Sequence, residues 1–343
     1  RFRGGEENDH VRRKPVNGTE AILMVIIALY SVTVAAVNPA LLSFETVFDI
    51  IRSSSSTMIV AMGLLVVMLS GGIDVSFMSV ALFGGYVSTY LMIRGGIDNL
   101  AFALIVSVTI GTALGLLNAL LINWLKLPPF IITLGTQNVF HGVMTTFISN
   151  KTFGAGVLPP SLSRFGSSTL FQLNTRMGVM GLTTAIIPVV LVVALTWFLI
   201  NRTMIGRGVI ALGNSEESAI RAGFRPLTIR LFTYAYIGAL AGLMGVVYIA
   251  QVNAAYPNKL VGDELMVIAG AVIGGTKATG GQGKILGVIL GTVVIYLLNS
   301  TLIFLGLSSS WNDLFVGALL VTSVAVTSYQ NRIRNNRNLI FTE

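Results

Sequence analysis

The chain has 343 residues, of which 54% are hydrophobic and only 10% charged, whereas soluble domains carry roughly 25% charged residues. With a mean hydropathy of +0.81, this composition excludes an ordinary soluble fold and predicts an all-α polytopic membrane protein. The absence of cysteine excludes disulfides and thiolate metal sites, and two distant histidines, His10 and His141, make a metal centre unexpected.

The net charge of +8 would suggest nucleic acid as the partner of a soluble protein. Here the basic residues lie between apolar runs, as in loops that face an anionic membrane leaflet. We therefore expect a lipid bilayer and no nucleic acid. Residues 1–19 mix acidic, basic and polar side chains, and are predicted to be a solvated cytoplasmic tail and not a cleavable signal peptide.

A helix that crosses the hydrocarbon core needs roughly 20 mainly apolar residues. About ten stretches approach that length, and they make up one transmembrane domain over 20–328: 20–38, 51–69, 75–93, 100–123, 129–149, 178–200, 229–250, 264–277, 284–303 and 313–328. The eighth is too short to span comfortably. Because glycines interrupt it, we expect a re-entrant or broken segment near 264–284.

The distribution of Lys and Arg predicts the orientation. With ten crossings, sixteen of the 22 basic residues fall in loops on one side and six on the other, and the basic-rich side is the cytoplasm. Both termini are then cytoplasmic, including the basic tail 329–343. Residues 150–177 form an extracytoplasmic loop, and residues 201–228 form a cytoplasmic loop that carries four arginines and is followed by Arg230.

The turn between the second and third spans contains Asp74, the sole acid between residues 53 and 93. A charge inside a membrane domain is costly and often marks function. Two interpretations stay open: Asp74 caps the third helix by accepting a backbone N–H from Ser76 or Phe77, or Asp74 and Ser76 contact the solute. Gly71 before it permits positive φ.

The fifth span begins with prolines, which suit the first turn of a helix. Thr133, Gln137 and His141 follow at four-residue spacing and share one helix face, with Asn138 beside it. Such a polar stripe avoids lipid. It either makes hydrogen bonds between helices or lines a passage for a polar, uncharged solute.

The cytoplasmic loop contains a predicted short helix of about eight residues. Asn214 is its expected N-cap, Glu217 completes a capping box, and Gly223 ends the helix before Pro226. A helix this short is marginal alone and needs a surface, which is either its own membrane domain or a cytoplasmic partner. The candidate docking residues are Asn214, Ser215, Glu216, Glu217, Ala219, Ile220, Arg221, Gly223 and Phe224.

Glycines recur at four-residue spacing in Gly283, Gly287 and Gly291, and similar pairs lie at Gly111/Gly115 and Gly238/Gly242. These seams predict close helix packing. The segment GGTKATGGQGK is not a phosphate-binding loop, because Ile285 follows Lys284 and no strand precedes it. No catalytic motif is found, so we expect a chain that is not an enzyme.

Four stretches resemble the permeases of bacterial ABC sugar importers of the ribose, xylose and galactose type, which include autoinducer-2 relatives. These stretches are LSGGIDVSFMSV at 69–80, LPPFIITLGT at 127–136, GNSEESAIRAGF at 213–224 and VIGGTKATGGQGK at 272–284. The resemblance runs from about residue 20 to 330. It implies a multi-pass subunit of the bacterial inner membrane. The implied partners are a second permease, identical or homologous, two cytoplasmic ATPase subunits and an extracytoplasmic substrate-binding protein. ATP and Mg²⁺ are used by those partners, and this chain binds no cofactor.

The resemblance also maps the 214–224 helix onto the family's coupling helix, which sits in a cleft of the ATPase. One departure is that Phe77-Met78 stands where the family commonly has Val-Gly. Within the same class, nucleosides or branched-chain amino acids are alternative solutes, and an ion-coupled secondary transporter or a membrane scaffold is an alternative from another class. The sequence names neither the sugar nor the composition of the permease pair.

Overall fold

The computed structural model describes residues 18–175 and 178–302, and further along the chain 305, 306, 308, 311, 312, 314–318, 321 and 325. The helices are α1 Gly18–Val37, α2 Phe44–Leu69, α3 Phe77–Gly95, α4 Leu100–Leu125, α5 Pro129–Val143, α6 Pro160–Ser167, α7 Ile186–Arg202, α8 Met204–Asn214, α9 Glu216–Arg221, α10 Pro226–Val252, α11 Glu264–Ile273 and α12 Ile285–Leu302. A 3₁₀ turn covers Pro39–Leu42, a π-helical segment covers Met144–Ile148, and two strands are β1 Thr169–Thr175 and β2 Gly178–Thr183.

Among the described residues, five helices are long and apolar enough to cross a bilayer: α1, α2, α4, α10 and α12. A sixth is added when α7 and α8, bent by 74° at their junction, count as one. These match six of the expected spans. The mainly helical, polytopic membrane fold is thereby confirmed, whereas the count of ten crossings stays a prediction.

Three other expected spans form helices that are shorter or more polar. The helix α3 has 19 residues but includes Ser, Thr and Tyr side chains and three glycines, and most of it is buried among other helices. The helix α5 has 15 residues before its π-helical continuation, and α11 has only ten. Helices enclosed by protein need not be apolar all round. Of the expected span 313–328, only 314–318, 321 and 325 lie within the described residues.

The expected start of the sixth span at residue 178 is wrong. Residues 178–183 form β2, which pairs antiparallel with β1, and the helix begins only at Ile186. The hairpin satisfies the backbone groups of this apolar run, so the run does not need to be helical. The expected extracytoplasmic loop 150–177 accordingly contains both α6 and β1.

The long helix α10 lies at the centre of the core, against α2, α3 and α4. The glycine pairs predicted on α4 and α10 meet each other: a Cβ on Gly111 would collide with the carbonyl oxygen of Gly238, and a Cβ on Gly115 would lie 3.2 Å from the Cα of Gly238. Because side chains are missing here, the two backbones touch and pack at close range.

A second close pair is formed by α11 and α12. Cβ atoms on Gly287 and Gly291 would collide with the carbonyl oxygens of Gly274 and Gly270, respectively. Gly283 precedes α12 and lies beside a side-chain methyl of Leu65, which a Cβ would approach to 2.9 Å. The short helix α11 therefore packs against the helix that follows it, and its re-entrant character stays a prediction.

The connections gather at two opposite ends of the helices. At one end, Lys284 pairs with Glu20 at 2.7 Å, and the 70–72 turn touches Gly213 and Gly280. At the other end, Arg52 donates to the carbonyl oxygen of Gln251 at 3.1 Å, and Phe153 and Ala255 form a β-bridge. The first group contains loops expected inside and the second loops expected outside. Successive spans that cross the membrane in alternate directions require this separation of the loops into two sets.

Candidate transport site and coupling surface

The turn after α2 brings Asp74 into the protein interior, where it is only 2% exposed. Its Oδ1 accepts the backbone N–H and the hydroxyl of Ser76, each at 2.7 Å. Asn118 Nδ2 then donates to Ser76 Oγ at 2.8 Å. Asp74 therefore accepts from Ser76 and not from Phe77. Since Ser76 is itself the N-cap of α3 and makes no side-chain capping bond, Asp74 fixes the turn that leads into α3, and contact with the solute stays a prediction.

Thr133 joins α5 to the same turn. Its hydroxyl oxygen accepts the N–H of Val75 at 3.2 Å, and the hydroxyl donates to the carbonyl oxygen of Pro129 at 3.0 Å. Pro129 begins α5, as the sequence predicts. Asp74, Ser76 and Thr133 therefore form one connected group, which fixes α3 against α5.

A cavity of about 750 Å³ opens beside this group. Gly72 and Tyr234 line it, together with Lys126 at the end of α4, Arg230 in α10 and Glu216 in α9. The hydroxyl of Tyr234 is buried and has no hydrogen-bond partner. The cavity therefore connects the neighbourhood of the Asp74 turn with the predicted docking helix.

Of the four polar residues predicted to lie on or beside one face of α5, three face inward and one does not. Thr133 and Gln137 are buried and His141 is half-buried, so the three share an inward face. Asn138 is exposed, and its side-chain amide donates to the carbonyl oxygen of Leu134 in its own helix at 2.9 Å. Asn138 is therefore not part of the inward face.

The upper part of the inward face contacts the chain between α10 and α11. Gln137 Nε2 donates to Glu264 Oε1 at 2.7 Å, and His141 Nε2 lies 2.7 Å from Asn258 Oδ1. Glu264 was not anticipated as a site residue. It is the acid that opens the short apolar run 264–277, and its position at that start is the feature that could have identified it.

The predicted docking helix is α9, and its N-terminus differs from the prediction. The N-cap is Ser215, whose hydroxyl accepts the N–H of Ser218 at 3.2 Å. Asn214 instead ends α8 and donates to the carbonyl oxygen of Ile210 at 2.9 Å. The expected Asn214 cap is therefore wrong, because α8 extends through that residue and leaves Ser215 in the extended conformation that a cap needs.

The expected capping box is also replaced by ion pairs. Glu217 pairs with Arg221 at 3.0 Å within α9, and Glu216 reaches Arg230 of α10 at 2.6 Å. The helix ends at Arg221, and Gly223 follows with a φ of +84° and closes the last turn, as predicted for a C-terminal glycine.

The apolar edge of α9 divides between the protein and solvent. Ala219 is fully buried, and Phe224 packs against α8, where a Cβ on Gly208 would lie 3.0 Å from its ring. Ile220 stays 54% exposed. The helix therefore rests on its own membrane domain and still presents an apolar side chain outward. Among the described residues, no cluster of three potential metal ligands occurs.

Residues 46–324 match the family model described as the permease component of branched-chain amino acid transport systems. The chain belongs to this permease family. The match covers the turn at Asp74, the inward face of α5, and α9. Membership identifies the chain as a transport subunit, in agreement with the expectation that it is not an enzyme.

Curated relatives align with nearly the whole permease. The D-allose transport system permease protein AlsC of Escherichia coli K12 is 34% identical over 310 residues, covering 90% of each chain. The ribose import permease protein RbsC of Bacillus subtilis 168 is 31% identical, covering 85% of this chain and 88% of that protein. The autoinducer 2 import system permease protein LsrC of Escherichia coli O9:H4 is 29% identical, covering 94% and 90%. No solved structure matches. The resemblance to sugar-importer permeases is confirmed.

Proposed function

We propose that this permease is the membrane subunit of an ATP-driven importer for a sugar or a sugar-like neutral solute. The observation that carries the proposal is the alignment with the D-allose permease over 90% of both chains. The expected assembly contains a second permease, two cytoplasmic ATPase subunits, which use ATP and Mg²⁺, and an extracytoplasmic substrate-binding protein. The expected location is the bacterial inner membrane, with ten crossings and both termini in the cytoplasm.

The proposed coupling surface is α9. A six-residue helix cannot be stable alone, and the Glu216–Arg230 ion pair fixes it to the start of α10 while Ile220 faces outward. An ATPase cleft that receives Ile220 gains the apolar area that is otherwise left in water. Movement of the ATPase is then transmitted to α10 and α8.

The proposed passage follows the inward face of α5, from Thr133 past Gln137 to His141. Among the described residues, no Lys or Arg is buried. A solute with a carboxylate needs such a cation to offset the loss of hydration, so the interior favours an uncharged solute. This observation argues against branched-chain amino acids, which the family description names, and supports a sugar.

The test is uptake into proteoliposomes that contain the permease with its ATPase and binding-protein partners. We expect ATP-dependent accumulation of radiolabelled D-ribose or D-allose. The double variant Glu217→Arg with Ile220→Asp is expected to insert normally and lose uptake, because it places a charge at the docking side chain. Accumulation of leucine instead of either sugar would favour the amino-acid alternative. Uptake that needs a proton gradient and no ATP would reject the ATP-driven importer. Normal uptake by the double variant would reject α9 as the coupling surface.

A further inference from the structure

The two helices that flank the proposed passage pack on different neighbours. The helix α5 packs on α3 and α4, whereas α11 packs on α12 and α2. Glycine contacts hold the neighbours of each helix in place, with Gly111 of α4 against Gly238 of α10 and Gly270 of α11 against Gly291 of α12. Because backbone-to-backbone contacts deform little, a passage opens most easily at the seam between α5 and α11.

Side-chain hydrogen bonds cross that seam. Gln137 Nε2 donates to Glu264 Oε1 at 2.7 Å, and one turn further along α5 His141 lies 2.7 Å from Asn258. Gln137 is eight residues beyond the start of α5. At 1.5 Å per residue this is about 12 Å, near the middle of a hydrocarbon core about 30 Å thick. The Gln137–Glu264 bond therefore crosses the seam at mid-depth.

The two side chains at mid-depth have hydrogen-bonding capacity that suits hydroxyl groups. Gln137 is 5% exposed, and its Oε1 is buried without a partner. Glu264 Oε2 accepts the N–H of Gly262 at 2.9 Å, and Glu264 is the first residue of the ten-residue helix α11, whose N-terminal dipole favours its negative charge. A hydroxyl has one donor and two acceptor lone pairs, so one hydroxyl can donate to the carboxylate and accept from the amide nitrogen, and a second hydroxyl can donate to the free amide oxygen.

From this geometry we infer that the Gln137–Glu264 hydrogen bond is a latch which closes the passage at mid-depth, and that both side chains transfer their hydrogen bonds to the hydroxyls of a neutral, polyhydroxylated solute. Exchanging one hydrogen bond for another costs little, whereas a solute without hydroxyls leaves the separated carboxylate and amide unpaired. The passage therefore opens at little cost for a solute that carries hydroxyl groups and at a higher cost for a solute that lacks them. This inference rests on the proposed function, because it names the contacts that a sugar makes in transit.

A side-chain swap tests the latch. Gln137→Glu sets two carboxylates against each other, and we expect at least a tenfold loss of D-ribose and D-allose uptake and ATP hydrolysis that no longer requires the binding protein. Adding Glu264→Gln restores a carboxylate–amide hydrogen bond in the reverse direction, and we expect at least half of the uptake to return. Asn138→Gln, on the exposed face of the same helix, is the matched control and is expected to transport normally.

Cross-linking provides a second test, since the chain contains no cysteine. With Gln137→Cys and Glu264→Cys together, a short bis-methanethiosulfonate reagent, which links two thiols through disulfide bonds, is expected to block the uptake that this variant retains, and a thiol reductant is expected to restore it to the level before cross-linking. The pair Asn138→Cys and Glu264→Cys is expected to remain unlinked, because Asn138 faces away from α11.

Two results would overturn the latch: uptake that continues after the 137–264 cross-link has formed, or a swap that is no more active than Gln137→Glu alone. Either result with normal wild-type uptake rejects the latch and leaves the proposed function intact. A wild-type importer that accumulates neither sugar with ATP rejects the proposed function itself.

Discussion

The backbone N–H of Gly281 donates to the carbonyl oxygen of Leu69, the last residue of α2, at 3.0 Å. Gly213, near the end of α8, packs on the same two residues: a Cβ there would collide with the Leu69 oxygen and would lie 2.7 Å from the nitrogen of Gly281. The segment that leads into α9 therefore touches α2 and the loop before α12 through backbone atoms. A displacement of α9 reaches both without a flexible side chain between them.

The first prediction concerns this contact. Gly213→Ala inserts a methyl group against the Leu69 oxygen and the Gly281 nitrogen, neither of which is the end of a flexible side chain. Overpacking of this kind typically costs about 1–3 kcal/mol. We expect a lower midpoint of thermal unfolding in detergent, and uptake that falls more than the amount of inserted protein.

Gly135→Ala is the matched control, because a Cβ on Gly135 has no neighbouring atom within 4 Å. Alanine stabilises a helix interior by about 1 kcal/mol relative to glycine, so this variant should be as stable as the wild type or more stable. If Gly213→Ala unfolds and transports like Gly135→Ala, the backbone contact does not constrain the coupling segment.

The second prediction separates the two roles considered for Asp74. Asp74→Ala removes the acceptor of both Ser76 donors, and each unsatisfied buried group costs about 1–3 kcal/mol. Asp74→Asn keeps an oxygen at that place and should be much milder. We expect unfolding midpoints in the order wild type, Asp74→Asn, Asp74→Ala, with uptake following stability. An Asp74→Asn permease of native stability that transports nothing would favour direct contact with the solute instead.

Sequence reasoning predicted the features that local chemistry determines. The four-residue glycine spacing predicted close helix packing, and the structure places most of these glycines in the α4–α10 and α11–α12 contacts. Asp74 was expected to accept a backbone N–H from Ser76 or Phe77, and the structure shows the bond from Ser76. The left-handed Gly223 likewise followed from its place after the last helical turn.

Features that depend on distant partners could not be predicted in this way. The strand at 178–183 exists because β1 pairs with it, and an apolar run alone does not distinguish a strand from a helix. Asn214 and Ser215 are both good caps, and the length of α8 decided between them. Glu264 belongs to the site because its carboxylate accepts a hydrogen bond from the side-chain amide of Gln137, which lies 127 residues earlier in the sequence.

The third prediction uses a contact at the opposite end of the protein from α9. Ser161, whose backbone N–H donates to Asp98 Oδ1 at 2.6 Å, holds the pKa of the Asp98 carboxyl below its usual value, with a further contribution from Arg164 at 3.2 Å. Because the folded pKa is lowered, the contact is fully present above the ordinary carboxyl pKa of about 3.9 and is lost as the pH falls through the lower folded value. Amide exchange of α6, corrected for the intrinsic pH dependence, should therefore stay constant from neutral pH down to about pH 5 and rise below about pH 4.

Asp98→Asn provides the reference for this measurement. Its amide oxygen still accepts the Ser161 N–H at 2.6 Å in the same geometry but carries no charge that titrates. Exchange of α6 in the variant should be faster at neutral pH and show no step in acid. A step of equal size in both proteins would assign the acid sensitivity to another group.

The fourth prediction compares the two ion pairs of α9. Glu216 reaches Arg230 at 2.6 Å with side chains that are 50% and 25% exposed, whereas Glu217 and Arg221 lie 3.0 Å apart and are at least 77% exposed. Solvent screens the more exposed Glu217–Arg221 pair more strongly than the Glu216–Arg230 pair. Of these two pairs, only Glu216–Arg230 joins α9 to another element. Glu216→Gln is therefore expected to speed amide exchange within α9 about fivefold, which corresponds to about 1 kcal/mol, and Glu217→Gln less than twofold. The double exchange Glu216→Arg with Arg230→Glu should recover most of the protection, since the pair reforms with its charges reversed. Equal effects of the two single variants would mean that α9 is held in place by Ala219 and Phe224 alone.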